Sequence, residues 1–244
     1  MTDTAAQATT PKRVLVIQAH PDDVEFGSAG TVAKWLAEGA HVTYCTITSG
    51  DKGSDNPEMS PEKLIATRKA EQEEACRILG VQETIFLGYS DASLVADLTL
   101  RRDLTRVMRQ VQPDAIMTFD PTARYFDGYI NHPDHIATGE ASLAAVFPSV
   151  RDRLTFPELL AEGLEPHKVP EVYLYATDRA NCWIDVTATM DLRIRALKAH
   201  ASQLGDWNPD EEMRKWGRET AESNPGRSEN DGEYAERYRY IKLD

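Results

Sequence analysis

The chain has 244 residues, 41% of them apolar and 27% charged, the usage of an ordinary globular protein. A chain of that length should bury roughly 70–75% of its unfolded surface; it is not a disordered or collagen-like sequence, and no run of about 18 apolar residues offers a membrane-crossing helix. Lys and Arg number 27 against 40 Asp and Glu, a net charge of −13, which repels phosphate backbones and anionic membranes and argues against a nucleic-acid or membrane partner.

Residues 1–12 are polar, lack the apolar core of a signal peptide and read as a disordered leader. Residues 13–19 (RVLVIQA) are apolar and β-branched but too few for a helix, so they predict a buried strand. A helix is expected over 27–38, where Val32, Trp35 and Leu36 share a face and Gly39 stops it. Residues 41–48 predict a second strand, 49–60 a turn-rich loop, and 61–79 a long helix ended by Gly80. Strands follow at 84–87 and 114–119, with helices at 98–111 and 136–147. Four alternations of strand and helix predict an α/β, Rossmann-like fold, a mainly parallel twisted sheet with helices on both faces. The last third is less regular. Strands are expected at 171–176 and 182–186 and a helix at 189–203. From 205 to 244 the chain is charge-rich, anchored by Trp207, Trp216, Tyr234, Tyr238 and Tyr240, and predicts short helices packed on the domain formed by 13–204. Cys45, Cys76 and Cys182 form neither a CxxC pair nor an even framework, which points to a reducing, cytoplasmic setting.

Two segments carry the chemistry. His20-Pro21-Asp22-Asp23 directly follows the first strand, and His132-Pro133-Asp134-His135 follows the fourth strand and its loop. Ligands of open parallel sheets bind beyond the carboxyl ends of the strands, where both segments are expected. Together they hold three His and three Asp, enough for a catalytic zinc site of imidazoles and a carboxylate with an acid and a base left over. The spacing leaves open which Asp of each segment binds metal, and whether the metal is zinc or iron(II). Asp after His is also a common helix N-cap, but two such segments at separate strand ends make capping the weaker account. Gly27 and Gly30 do not form the GxGxxG of a dinucleotide site, and the carboxylates at that turn would repel a pyrophosphate.

The first segment, with Ala19 before it, resembles the signature of the LmbE-like, or PIG-L, family of zinc-dependent N-deacetylases, and His132-Pro133-Asp134-His135 resembles the family's second motif. Thr67-Arg68-Lys69-Ala70-Glu71 and Lys198-Ala199-His200-Ala201-Ser202-Gln203 extend the similarity over about residues 13–204. The resemblance implies one Zn2+ per chain held by His20, Asp23 and His135, with Asp22 as general base and His132 as oxyanion stabiliser. Asp134 would orient a histidine. It further implies an N-acetylglucosamine-type substrate contacted by Arg68, Asp91 and Tyr129, and a homo-oligomer, trimeric or hexameric. Some members that act on sugars carry a tyrosine two residues before the first His of the second motif; here that position is Ile130, which leaves Tyr129 or Tyr125 for the oxyanion role. His200 has an ordinary reading as a cation near a helix C-terminus. The same site would also serve a non-sugar amide, or a metal-binding protein without catalysis.

Overall fold

The computed structural model describes residues 9–244, so most of the leader expected over 1–12 lies outside the described residues. The first strand is β1 (Arg13–Gln18), followed by a short helix α1 (Asp23–Gly27), then α2 (Ala29–Ala37), β2 (His41–Thr48), α3 (Pro61–Leu79), β3 (Glu83–Tyr89), α4 (Leu98–Val111) and β4 (Ala115–Phe119). The capping chemistry explains why α3 and α4 match their expected limits. Ser60 Oγ accepts from the Lys63 N–H, Pro61 opens α3, and Gly80 closes it at φ 88°; Asp97 caps α4 through the Leu100 N–H. The helix expected from 27 begins earlier, as α1 at Asp23, and is interrupted at Ser28.

After β4 the chain makes a small hairpin, β5 (Tyr125–Phe126) and β6 (Tyr129–Ile130), turning at Gly128 with φ 78°. Next come α5 (Pro133–Ala144), which starts three residues before its expected limit because Pro133 takes the first helical position, then α6 (Glu158–Ala161), β7 (Glu171–Tyr175) and β8 (Cys182–Asp185). The helix expected over 189–203 is two pieces, α7 (Met190–Leu197) and α8 (Ala201–Leu204), followed by α9 (Asp210–Glu222) and β9 (Ala235–Lys242).

The main sheet runs β3-β2-β1-β4-β7-β9-β8. Strands β3, β2, β1, β4 and β7 are parallel, and β9 is antiparallel to both its neighbours. Each strand at the centre is buried on both faces. Val14 and Val16 of β1 join a core with α2, α3 and Tyr173, while Leu15 and Ile17 join the opposite core with Leu100, Leu104 and Ala141 of α4 and α5. That two-sided burial is why β1 reads as a continuous apolar run. The chain order reverses between β1 and β4, and the loops leaving those two strands open the crevice that the site occupies.

The charge-rich tail corrects the expectation of helices alone. Its α9 is helical, but residues 235–242 form a full strand in the sheet. Alternation decides it: Glu236, Tyr238 and Tyr240 turn to one face, with Tyr238 wholly buried. The Glu236 carboxylate accepts from the N–H groups of Gly30 (2.9 Å) and Thr31 (2.7 Å), capping α2, and lies 3.2 Å from Arg193 Nη1. A Cβ at position 30 would stand 2.8 Å from that carboxylate, so the approach needs glycine. Replacing Glu236 by Ala removes a cap and leaves the buried Arg193 without its carboxylate. We expect a loss of about 3–5 kcal/mol in urea unfolding, against less than about 0.5 kcal/mol for Glu229→Ala on the surface.

A candidate metal centre at the carboxyl edge of the sheet

The crevice between β1 and β4 gathers three imidazoles. The ring centroids of His20 and His132 are 4.7 Å apart, those of His20 and His135 5.2 Å, and those of His132 and His135 5.4 Å. His20 is delivered by the turn after β1, whereas His132 and His135 flank the start of α5. His132 occupies the N-cap of α5, its Nδ1 accepting from the Asp134 N–H at 3.2 Å.

The protons on these rings follow from their partners. Asn131 donates through Nδ2 to the Ala123 carbonyl (2.7 Å), so its Oδ1 is the atom that faces His135 Nδ1 at 2.9 Å. His135 therefore donates from Nδ1, and its Nε2 lone pair points to Asp23 Oδ1, 3.1 Å away. His20 presents Nε2 to two carboxylates, Asp91 Oδ1 at 3.0 Å and Asp134 Oδ2 at 3.3 Å, which places its proton there. Its Nδ1 lone pair then faces Asp23 Oδ2 at 3.6 Å. Asp23 thus turns one oxygen to each imidazole lone pair. Electron-pair donors facing each other at these distances need a cation between them, a proton or a metal ion, and imidazole with carboxylate suits zinc or iron(II).

Among the described residues, the groups whose ligand atoms all lie within 4.8 Å of one another are His20, His132 and His135, and His20, Asp91 and Asp134; Asp23 is in neither. Their donors are largely engaged. Asp134 accepts from the N–H groups of Ala92 (2.8 Å) and Leu94 (3.1 Å), and His132 Nδ1 is held by its capping bond. The negative surroundings show in His20. Burial works against its charged form, yet the charge of Asp23 and hydrogen bonds to Asp134, Asp23 and Asp91 more than offset this and push its pKa up to about 12. Three carboxylates, of Asp23, Asp91 and Asp134, surround this one imidazole within 3.6 Å.

Asp22 stands beside this group and outside it. It occupies the N-cap position of α1, but its side chain caps nothing. Its backbone has φ 102° and ψ −23°, a region that costs a non-glycine residue roughly 1–3 kcal/mol. The carboxylate lies 3.3 Å from Arg68 Nη2, and that nitrogen also donates to the Pro21 carbonyl at 2.8 Å. Burial, then the charge of Asp23, raise the Asp22 carboxyl to about 7, with Arg68, His200 and His20 opposing. A carboxyl in that range is suited to taking and returning a proton near neutrality.

Arg68 is 4% exposed and aims at the site rather than at Glu71, whose carboxylate instead accepts from Ser202. Asp91, 5% exposed, turns one oxygen to His20 and holds the other 3.9 Å from Arg68 Nη1. Tyr129 lies on the hairpin, half exposed, with burial and the Asp23 charge raising its hydroxyl pKa; Tyr125 is 76% exposed. His200 is wholly buried, its Nε2 3.4 Å from Glu25 Oε2, in a gap between helices and not at an exposed helix end. Residues that sequence reasoning did not single out complete the surroundings: Asn131, which sets the His135 proton, and Phe119, whose ring stacks on His135 at 4.0 Å and 10°.

The chain is similar to proteins of known activity over most of its length. The family model described as GlcNAc-PI de-N-acetylase, PIG-L, matches residues 15–146. The diacetylchitobiose deacetylase of Thermococcus kodakarensis is 32% identical over 203 residues, 81% of this chain and 74% of that protein. A 1D-myo-inositol 2-acetamido-2-deoxy-alpha-D-glucopyranoside deacetylase of Actinosynnema mirum is 31% identical over 240 residues, 82% of this chain and 83% of that protein. The structure of the N,N'-diacetylchitobiose deacetylase from Pyrococcus horikoshii, complexed with its inhibitor MPG, superposes with a TM-score of 0.86 at 31% identity, over 95% of this chain and 84% of that one. Motif, sheet order, site and similarity agree, and the chain belongs to the PIG-L, or LmbE-like, family of metal-dependent N-deacetylases.

Proposed function

We propose that this protein is a zinc-dependent hydrolase that removes the acetyl group from an N-acetylglucosamine-type substrate, releasing acetate and a free amine. The observation that carries the reading is the division of labour at one turn: Asp23 turns one oxygen to His20 Nδ1 and the other to His135 Nε2, while its neighbour Asp22 is paired with Arg68. His20, Asp23 and His135 would hold the ion, with iron(II) as the other metal this donor set accepts. Once bound, such an ion acts as a Lewis acid and lowers the pKa of water.

The protein's own groups account for the proton movements. Arg68 fixes one oxygen of the Asp22 carboxylate and leaves it basic enough to take a proton from the attacking water. The water oxygen bonds to the acetyl carbon, and the C–N bond breaks as Asp22 returns that proton to the departing nitrogen. His132 donates to the carbonyl oxygen as negative charge develops there. Its Nδ1 is already an acceptor, so the ring proton sits on Nε2, and burial lowers the ring's pKa below its usual value. Asp91 and Asp134 orient His20. Tyr129 on the hairpin, with Arg68 behind the base, is the side chain best placed to meet the rest of the substrate.

Three free, buried cysteines support a reducing, cytoplasmic location. Exposed Tyr125, Tyr129 and Ile130 on the hairpin (76%, 52% and 85%) support association of copies through this face.

Metal analysis should find about one ion per chain, zinc after aerobic purification, and a chelator should abolish acetate release and lower the melting temperature. Acetate release is measured across N-acetylglucosamine glycosides, chito-oligosaccharides and N-acetyl amides without a sugar. Release from the non-sugar amides alone would move the substrate class, and a metal-free protein after reconstitution would overturn the site. Asp22→Asn should cut kcat about 10²–10⁴-fold with the metal retained; a variant of near-normal activity would remove Asp22 as the base. His132→Ala should cost about 10²–10³ in kcat, again at unchanged metal content.

A further inference from the structure

Asp22 holds a backbone conformation unfavourable for its side chain, and something must compensate. Its N–H donates to Gln72 Oε1 at 3.0 Å, inside the protein. A backbone N–H can only donate, so this bond sets the orientation of the Gln72 amide without ambiguity. The same oxygen accepts from Gln18 Nε2 at 2.7 Å, and Gln18 Oε1 in turn accepts from the Val24 N–H at 3.2 Å. The two amides therefore clasp the N–H groups on either side of Asp23. Gln72 Nε2 faces Glu25 Oε1 at 3.3 Å, and the other oxygen of Glu25 lies 3.4 Å from His200 Nε2. Gln18, Gln72, Glu25 and His200 are all wholly buried.

We infer that Gln72 is a positioning residue for deacetylation: it holds the Asp22 turn in its left-handed form, and the buried Glu25–His200 pair keeps the Gln72 amide facing that turn. The inference rests on the proposed role of Asp22 as base. A helix of α3's length supplies the rigidity, since Arg68 and Gln72 lie one turn apart on the same face, one holding the Asp22 carboxylate and the other its N–H. The wild-type order, amide on α3 and carboxylate on α1, makes a specific demand: a carboxylate at both positions would repel, whereas an exchange of the two would keep every donor opposite an acceptor.

The experiment compares Gln72→Met, Gln72→Glu and the exchanged double variant Gln72→Glu/Glu25→Gln with the wild type. It measures kcat, KM and metal content on whichever panel substrate is hydrolysed, and φ at Asp22 from crystal structures. Gln72→Met should lower kcat about 10–100-fold, with KM within about twofold, metal content unchanged and φ at Asp22 shifted out of the positive region. Gln72→Glu should lose more, and the double variant should recover most of kcat together with the wild-type φ. Asp22 remaining near its present φ in Gln72→Met with wild-type kcat would overturn the inference. So would a loss confined to metal content or KM, or a double variant no better than Gln72→Glu, which is decisive even where Gln72→Met does not fold. An active Asp22→Asn protein would instead remove the base from the proposed function, and the φ values alone would then judge the hold of Gln72 on the turn.

Discussion

Asp23 gives each of its oxygens to a different imidazole, and the arrangement of the crevice follows from that. For the two rings to present lone pairs to one carboxylate, each must be protonated on its far nitrogen. The protein therefore supplies an acceptor behind each ring: Asn131 behind His135, and Asp91 with Asp134 behind His20. Those groups are held by partners of their own. Backbone N–H groups of Ala92 and Leu94 serve Asp134, and the Ala123 carbonyl fixes the amide of Asn131. The loop after β3 and the hairpin after β4 are thus tied into the site by hydrogen bonds to its histidines.

A parallel sheet is well suited to such a device. Its strands end at one edge, so the turn after β1 and the hairpin-bearing connection after β4 bring residues more than a hundred positions apart into contact. The helices that follow start at the site: α1 begins with Asp23 itself, and α5 begins at Pro133, between the two histidines of the second motif. Because α5 packs against β4 closely enough that a Cβ on Gly139 would stand 2.5 Å from the Phe119 carbonyl, the position of His135 is set by the same contact that places Phe119 against its ring.

The His and Asp side chains that meet in the crevice were legible in the sequence because they are contiguous within two segments and because His and Asp announce their chemistry by type. Asn131, Gln18, Gln72 and Phe119 were not, since amides and phenyl rings occur everywhere and their role depends on partners from other elements. Asp91 was visible as a candidate, but its contact with His20 was not, because a carboxylate in a turn looks the same whether it faces solvent or a buried imidazole. The central strands were legible from their two-sided burial. Strand β9 was not: its outward residues are charged, its inward ones include Glu236, and its stability comes from pairing with β7 and β8, some sixty residues earlier in the register Cys182 to Tyr238 and Glu171 to Lys242. The alternation of Glu236, Tyr238 and Tyr240 was the available signal, weakened by the acidic member whose partners, Arg193 and the amino end of α2, no local pattern reveals.

The place of β9 bears on how the protein is made. It lies between β7 and β8 yet leaves the ribosome after both, so during synthesis two strands wait with unpaired edges, and β8 has no neighbour in the sheet until residues 235–242 emerge. Until then Arg193 also lacks its carboxylate and α2 its cap. A nascent chain halted before Ala235 would therefore expose adhesive strand edges.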